Sequence, residues 1–138
     1  MSHVEPRCET DVIIALLHNL LEVSAISALE LKDRFGPVVV DSIVNLTVDR
    51  KRQDDPAYKR NYYQRIALGY KGAGAVKVFD KLDNVFVLCL NGNARIRTDY
   101  LNEIEQYVIP LARQFVPAIA DYFKVAVAEA RVFGHHPR

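Results

Sequence analysis

The chain has little of what marks an exported, membrane-bound or nucleic-acid-binding protein. Its two cysteines, Cys8 and Cys89, stand far apart and form no C-x-x-C pair, so neither a zinc knuckle nor a redox dithiol is encoded, and a cytoplasmic, reducing location is expected. No apolar run approaches the ~20 residues of a membrane helix. The polar opening Met1-Ser2-His3-Val4-Glu5-Pro6-Arg7 also lacks a secretory hydrophobic segment. Charge of one sign is missing too. The formal charge of +1 argues against a basic nucleic-acid binder, so no nucleic-acid or membrane partner is expected. There are no repeats or low-complexity stretches, and Gly69, Gly72 and Gly74 do not follow a phosphate-binding fingerprint. What remains, 138 residues with 50% hydrophobic and 25% charged content, is the composition of a single soluble globular domain spanning 1–138, with 1–10 and 134–138 flexible.

Helical periodicity dominates the pattern. Val12, Leu16, Leu20 and Val23 recur at spacings of three and four, which predicts a largely buried helix over residues 11–22 with Asp11 as its cap. Ser27 followed by Glu30 fits a capping box, and Gly36-Pro37 ends the short helix of 28–35 that it starts. Residues 38–48 continue as helix, although their β-branched side chains keep a strand open as the alternative. Pro56 opens a helix over about 57–68. A glycine-punctuated connection leads to a helix over 75–90, closed by Asn91-Gly92-Asn93 in a left-handed turn. Thr98 or Asp99 caps a further helix to about Ile109. Pro110 and Pro117 bend the C-terminal third, along which Leu111, Phe115, Ile119, Phe123, Val127 and Ala130 trace one apolar stripe.

Two stretches carry chemistry. The first reads Ala15-Leu16-Leu17-His18-Asn19-Leu20-Leu21-Glu22, and the second Val76-Lys77-Val78-Phe79-Asp80-Lys81-Leu82-Asp83-Asn84. On a helix, residues four apart lie one above the other, which would put His18 over Glu22 and Asp80 over Asn84. Both stretches resemble the HD-domain phosphohydrolases, and more closely the ppGpp hydrolases of the RelA/SpoT kind. Phe35-Gly36, Val44-Asn45-Leu46-Thr47 and Tyr107-Val108-Ile109-Pro110-Leu111-Ala112 are similar to further runs of that family, so the resemblance extends over roughly residues 11–116. It implies an all-α, HD-domain-like bundle of about six helices and a divalent metal, Mn²⁺, as cofactor. His18, Asn19 and Asp80 would fall on metal-ligand positions, Glu22 on the catalytic Glu as the remaining base, and Asn84 on the substrate side. Arg50 and Lys51, beside Arg52, Lys59 and Arg60, would meet substrate phosphates such as those of ppGpp.

The departures from the family pattern point to weak or lost hydrolysis. A neutral amide at Asn19 is a poorer ligand for a hard cation than the family's Asp, and Val23 stands where the second catalytic carboxylate would be. The family's first metal-binding His would fall before Met1, as though the leading helices were absent, and His3 lies too near His18 to replace it. With those helices absent, the apolar side of 12–23 would need covering, so a homodimer through that helix or the C-terminal one is expected. A second class remains beside the degenerate phosphohydrolase, a non-catalytic module that binds a nucleotide or a protein. For single residues the plainer readings are a core histidine at 18, an Asp80 paired with Lys77 or Lys81, a solvated basic face at 50–60, packing cysteines, and a tail at His135-His136.

Overall fold

The computed structural model describes residues 7–133, all of their regular structure helical. Gly36 explains how two of the helices follow each other almost without a loop. Its φ of 84° is the one positive φ among the described residues, a conformation glycine adopts without the strain a Cβ would bring. Its N–H closes α3 (Ala28–Phe35) on the Lys32 carbonyl at 2.9 Å. Pro37 then opens α4 (Pro37–Leu46) at a position where a missing N–H costs no hydrogen bond. The capping box at the start of α3 forms in both directions: Glu30 N–H donates to Ser27 Oγ at 3.2 Å, and Ser27 N–H donates to Glu30 Oε2 at 3.3 Å.

The backbone divides between Val76 and Lys77 into two compact units. In the first, α4 packs on α1 (Arg7–Leu17), α3 and α5 (Pro56–Leu68). Burial settles the choice between helix and strand for α4. Val39, Ile43 and Leu46 are buried while Val38 and Val44 are exposed, a helical period, whereas a strand would have put 38, 40, 42 and 44 on one face. Ile14, Leu31, Tyr62, Tyr63 and Ile66 complete this core, and Tyr62 Oη donates to the Leu46 carbonyl at 2.6 Å. Asp55 caps α5 through the Ala57 N–H, with Pro56 at its first position.

Several expectations for this unit are corrected. The helix expected over 11–22 is interrupted: α1 ends at Leu17, and α2 (Leu20–Val23) follows a turn at His18-Asn19. Its supposed core stripe is not core, because Val12, Leu16 and Val23 are exposed, Leu16 at 77%, and Ile14 is the buried residue of this stretch. Asp11 caps nothing. It lies inside α1, which starts at Arg7 and so takes in residues 7–10, and its carboxylate accepts the Tyr70 hydroxyl at 2.7 Å. Gly72 permits that approach, since a Cβ there would run into the Asp11 carboxylate. It sits with Gly74 in the first turn of α6 (Lys71–Leu88) rather than in a connection.

The second unit holds the rest of α6, then α7 (Ala94–Glu103), a five-residue π segment Ile104–Val108, α8 (Ile109–Phe115) and α9 (Pro117–Phe133). Asn93, not Thr98 or Asp99, caps α7, its side chain accepting from the Arg95 and Ile96 N–H groups. Gly92 has no positive φ, so the expected left-handed turn is absent there. The π segment lies immediately ahead of Pro110, where the proline ring and its missing N–H disrupt the i→i−4 ladder. Val116 leaves helical space at φ −140°, ψ 62°, and Pro117 restarts the helix, so α9 packs against α8, α7 and the π segment. The expected stripe forms this contact, with Leu111, Phe123 and Val127 buried. Arg131 clasps it from outside, donating to Glu105 Oε1 at 3.0 Å and to Asn102 Oδ1 at 2.8 Å. Cys89 is exposed rather than packed, its thiol directed at the Phe86 carbonyl at 3.4 Å.

The all-α class therefore holds, with the helical runs cut into more pieces by prolines and turns than the sequence pattern implied. No described helix is long and apolar enough to cross a membrane. His3 and His135-His136 lie outside the described residues.

Candidate functional site

In the first unit, the turn at His18-Asn19 carries the first motif. His18 Nδ1 lies 2.6 Å from the Ala15 carbonyl oxygen. A carbonyl can only accept, so Nδ1 carries a proton and the lone pair of a neutral ring sits on Nε2. Asn19 is exposed, and its carbonyl receives the Glu22 and Val23 N–H groups that start α2. Glu22 reaches the loop after α4 with both carboxylate oxygens. Oε1 accepts the Val48 N–H at 3.0 Å, and Oε2 pairs with Arg50 Nη2 at 3.2 Å. Arg50 thus stands beside a motif residue through an ion pair that the sequence did not suggest. Lys51 uses its backbone N–H to brace the same loop on Asp49 Oδ1 at 3.0 Å.

In the second unit, α6 runs without interruption through 80–84, so Asp80 and Asn84 do share a helical face. Beside them lies a cluster that sequence reasoning missed. Lys81 Nζ pairs with Glu103 Oε2 at 3.2 Å, both side chains being nearly enclosed, and sits 4.5 Å from the centroid of the Tyr100 ring. Burial draws the Lys81 ammonium toward neutrality, yet Tyr100 and Glu103 outweigh it and hold its pKa above the usual lysine value. Burial also pushes the Tyr100 phenol up, and the Asp80 charge adds to this, against the opposing pull of Lys81 and Asn84. The Tyr100 hydroxyl is shut from solvent, with Lys81 and Asn84 as its neighbours. The signal for this cluster was present in the spacing of Tyr100 and Glu103, three apart on one helix. Placing the cap at Thr98 or Asp99 put the start of that helix five or six residues too late but kept both residues on it; what the local sequence does not carry is that Lys81, on another helix, packs against them.

Among the described residues no three His, Cys, Asp or Glu side chains gather closely enough to hold a metal ion. The reasons are visible residue by residue in the first motif: one imidazole, one exposed neutral amide, and one carboxylate with both oxygens engaged. Elsewhere, a groove of about 260 Å³ between α6 and α9 is lined by Val85, Phe86, Cys89, Tyr122 and Val125, with none of the motif residues in its wall.

Comparison with known proteins agrees with the helical arrangement. No family profile matches the chain, and no curated protein sequence does. A solved structure does: a metazoan ortholog of SpoT that hydrolyzes ppGpp and plays a role in starvation responses. It aligns over 91% of this chain and 70% of its own, at 25% identity and a TM-score of 0.67. The chain has an HD-domain-like helical fold similar to that of a ppGpp hydrolase.

Proposed function

We propose that this protein is a degenerate HD-domain phosphohydrolase that retains binding of a phosphorylated nucleotide such as ppGpp and has weak or no hydrolytic activity. The observation that carries the reading is the helical likeness to a ppGpp hydrolase over 91% of the chain, combined with a first motif whose carboxylate is already engaged. In this reading Asp80 and Asn84 keep their family positions on α6, His18 keeps its place on the turn, and Arg50 and Lys51 meet phosphoryl oxygens. Hydrolysis needs a base with a lone pair aimed at a water. Glu22 has given its oxygens to Val48 and Arg50, and Val23 has no proton to exchange. A product-release assay with ppGpp should therefore show turnover at least about a hundredfold below that of an intact relative, the usual worth of one general base, while calorimetry detects binding. Turnover matching an intact relative would refute the loss of activity. No binding together with capture of one specific protein would favour the alternative, a protein-binding module.

The same reading includes a homodimer. Val12 and Leu16 stand exposed one turn apart on α1, and Tyr122 and Val125 stand exposed on α9, apolar surface of a kind that soluble proteins cover. Sedimentation at micromolar concentration should report a dimer, and Leu16→Glu should shift it toward monomer. A monomer in the unaltered protein excludes this.

A further inference from the structure

The two bonds that Glu22 makes hold a loop in place. Glu22 is 12% exposed in its side chain and Arg50 is 74% exposed, so the carboxylate is anchored inside while the guanidinium stands outside with its remaining N–H groups toward solvent. The loop that carries Arg50 is braced along its length. Val48 N–H donates to Glu22 at 3.0 Å, Asp49 N–H to the Tyr58 hydroxyl at 2.7 Å, and Lys51 N–H to Asp49 Oδ1 at 3.0 Å. The Arg52 N–H donates to the Asp49 carbonyl at 3.0 Å, and the Arg52 guanidinium lies 4.8 Å from the centroid of the Tyr58 ring. Three consecutive cations, Arg50, Lys51 and Arg52, are thus displayed on a turn that is already ordered. Little conformational freedom is left to lose when an anion arrives. A guanidinium with one N–H on a carboxylate still offers others to phosphoryl oxygens, in the forked geometry that suits them.

We infer that this loop binds the phosphoryl end of an anionic ligand without a divalent cation, with Arg50 as the contact and Glu22 as the residue that positions it. The inference rests on the nucleotide reading above and deepens it: the positive charge toward phosphate comes from the protein's own guanidinium, beside a first motif in which no three His, Cys, Asp or Glu side chains gather among the described residues. Three carboxylates lie in the same segment, Asp49, Asp54 and Asp55; Asp49 Oδ1 accepts the Lys51 N–H and Asp55 caps α5, so these two carboxylates are engaged with backbone groups.

The test is calorimetric titration of the full chain with ppGpp and, separately, with inorganic pyrophosphate, each in EDTA and in Mn²⁺. The expected affinities agree within about twofold between the two conditions, and Arg50→Ala weakens both ligands about tenfold, the worth of a charge-assisted pair. Arg50→Lys should recover part of that loss, and Glu22→Gln should weaken binding less than Arg50→Ala, since the amide oxygen can still accept from Val48. A purely structural Arg50 would change the melting temperature without changing affinity, so both are read on each variant. Binding that appears only with Mn²⁺, or that survives Arg50→Ala undiminished, overturns the inference and leaves the nucleotide reading in place. Pyrophosphate bound in EDTA with no ppGpp bound supports the loop and overturns the nucleotide reading. Neither ligand bound overturns both.

Discussion

Replacing Phe123 by alanine should lower the unfolding free energy by about 3–5 kcal/mol, the cost of emptying a closed aromatic site that relaxes only in part. Phe123 is fully buried on α9, within the helix that packs against α8, α7 and the π segment. Its neighbour Tyr122 is exposed, so Tyr122→Ala should cost no more than about 0.5 kcal/mol, as surface substitutions usually do. Urea unfolding of the two variants measures the contrast. A loss below about 1 kcal/mol for Phe123→Ala would mean that α9 is not held by this contact.

Glu103→Ala should destabilise by about 3 kcal/mol, because it leaves the Lys81 ammonium enclosed with no carboxylate beside it. Removing both charges together, as Lys81→Met with Glu103→Leu, should cost much less, since the desolvation of both groups disappears with them. The same cluster sets an alkaline limit. Lys81 and Tyr100 both have pKa values raised above their ordinary 10.5 and 10.0, so the folded state holds these protons more tightly than the unfolded one. Their contribution is fully present below about pH 10 and is lost as pH climbs through the folded-state values. Urea midpoints measured from neutral pH to above pH 11 should fall on the alkaline side, and fall less steeply in the doubly substituted variant. A flat profile in the unaltered protein would contradict the assignment.

Much of the local structure could be read directly from residue order. The Ser27–Glu30 capping box, the Gly36-Pro37 stop and restart, and the Pro56 start all appear where the sequence places them. So does the apolar stripe from Leu111 to Val127. These signals act over three or four residues, through a hydroxyl reaching the next turn or a proline without its N–H, and need nothing from the rest of the chain. The all-α, HD-like arrangement was legible through a resemblance of residue runs to a known family, and Asp80 and Asn84 do lie on one unbroken helix.

Composition and local order determined that this chain is helical and where α3, α4 and α5 begin. They also determined which family's residue pattern it resembles, and that Asn19 and Val23 depart from it. Tertiary structure alone decided which partner each polar group takes. Glu22, four residues after a histidine and expected as a catalytic base, takes Val48 and Arg50 as the partners of its two oxygens, more than twenty-five residues away. Asp11 looked like a cap until Tyr70, fifty-nine residues on, donated to it across Gly72. Asp80 was expected to pair with Lys77 or Lys81, and the carboxylate that Lys81 takes is Glu103, twenty-two residues on. The physical reason is common to all three. Helix propensity is a sum of short-range terms, whereas a charged group enclosed by the fold must be matched by whatever donor or acceptor the packing brings beside it.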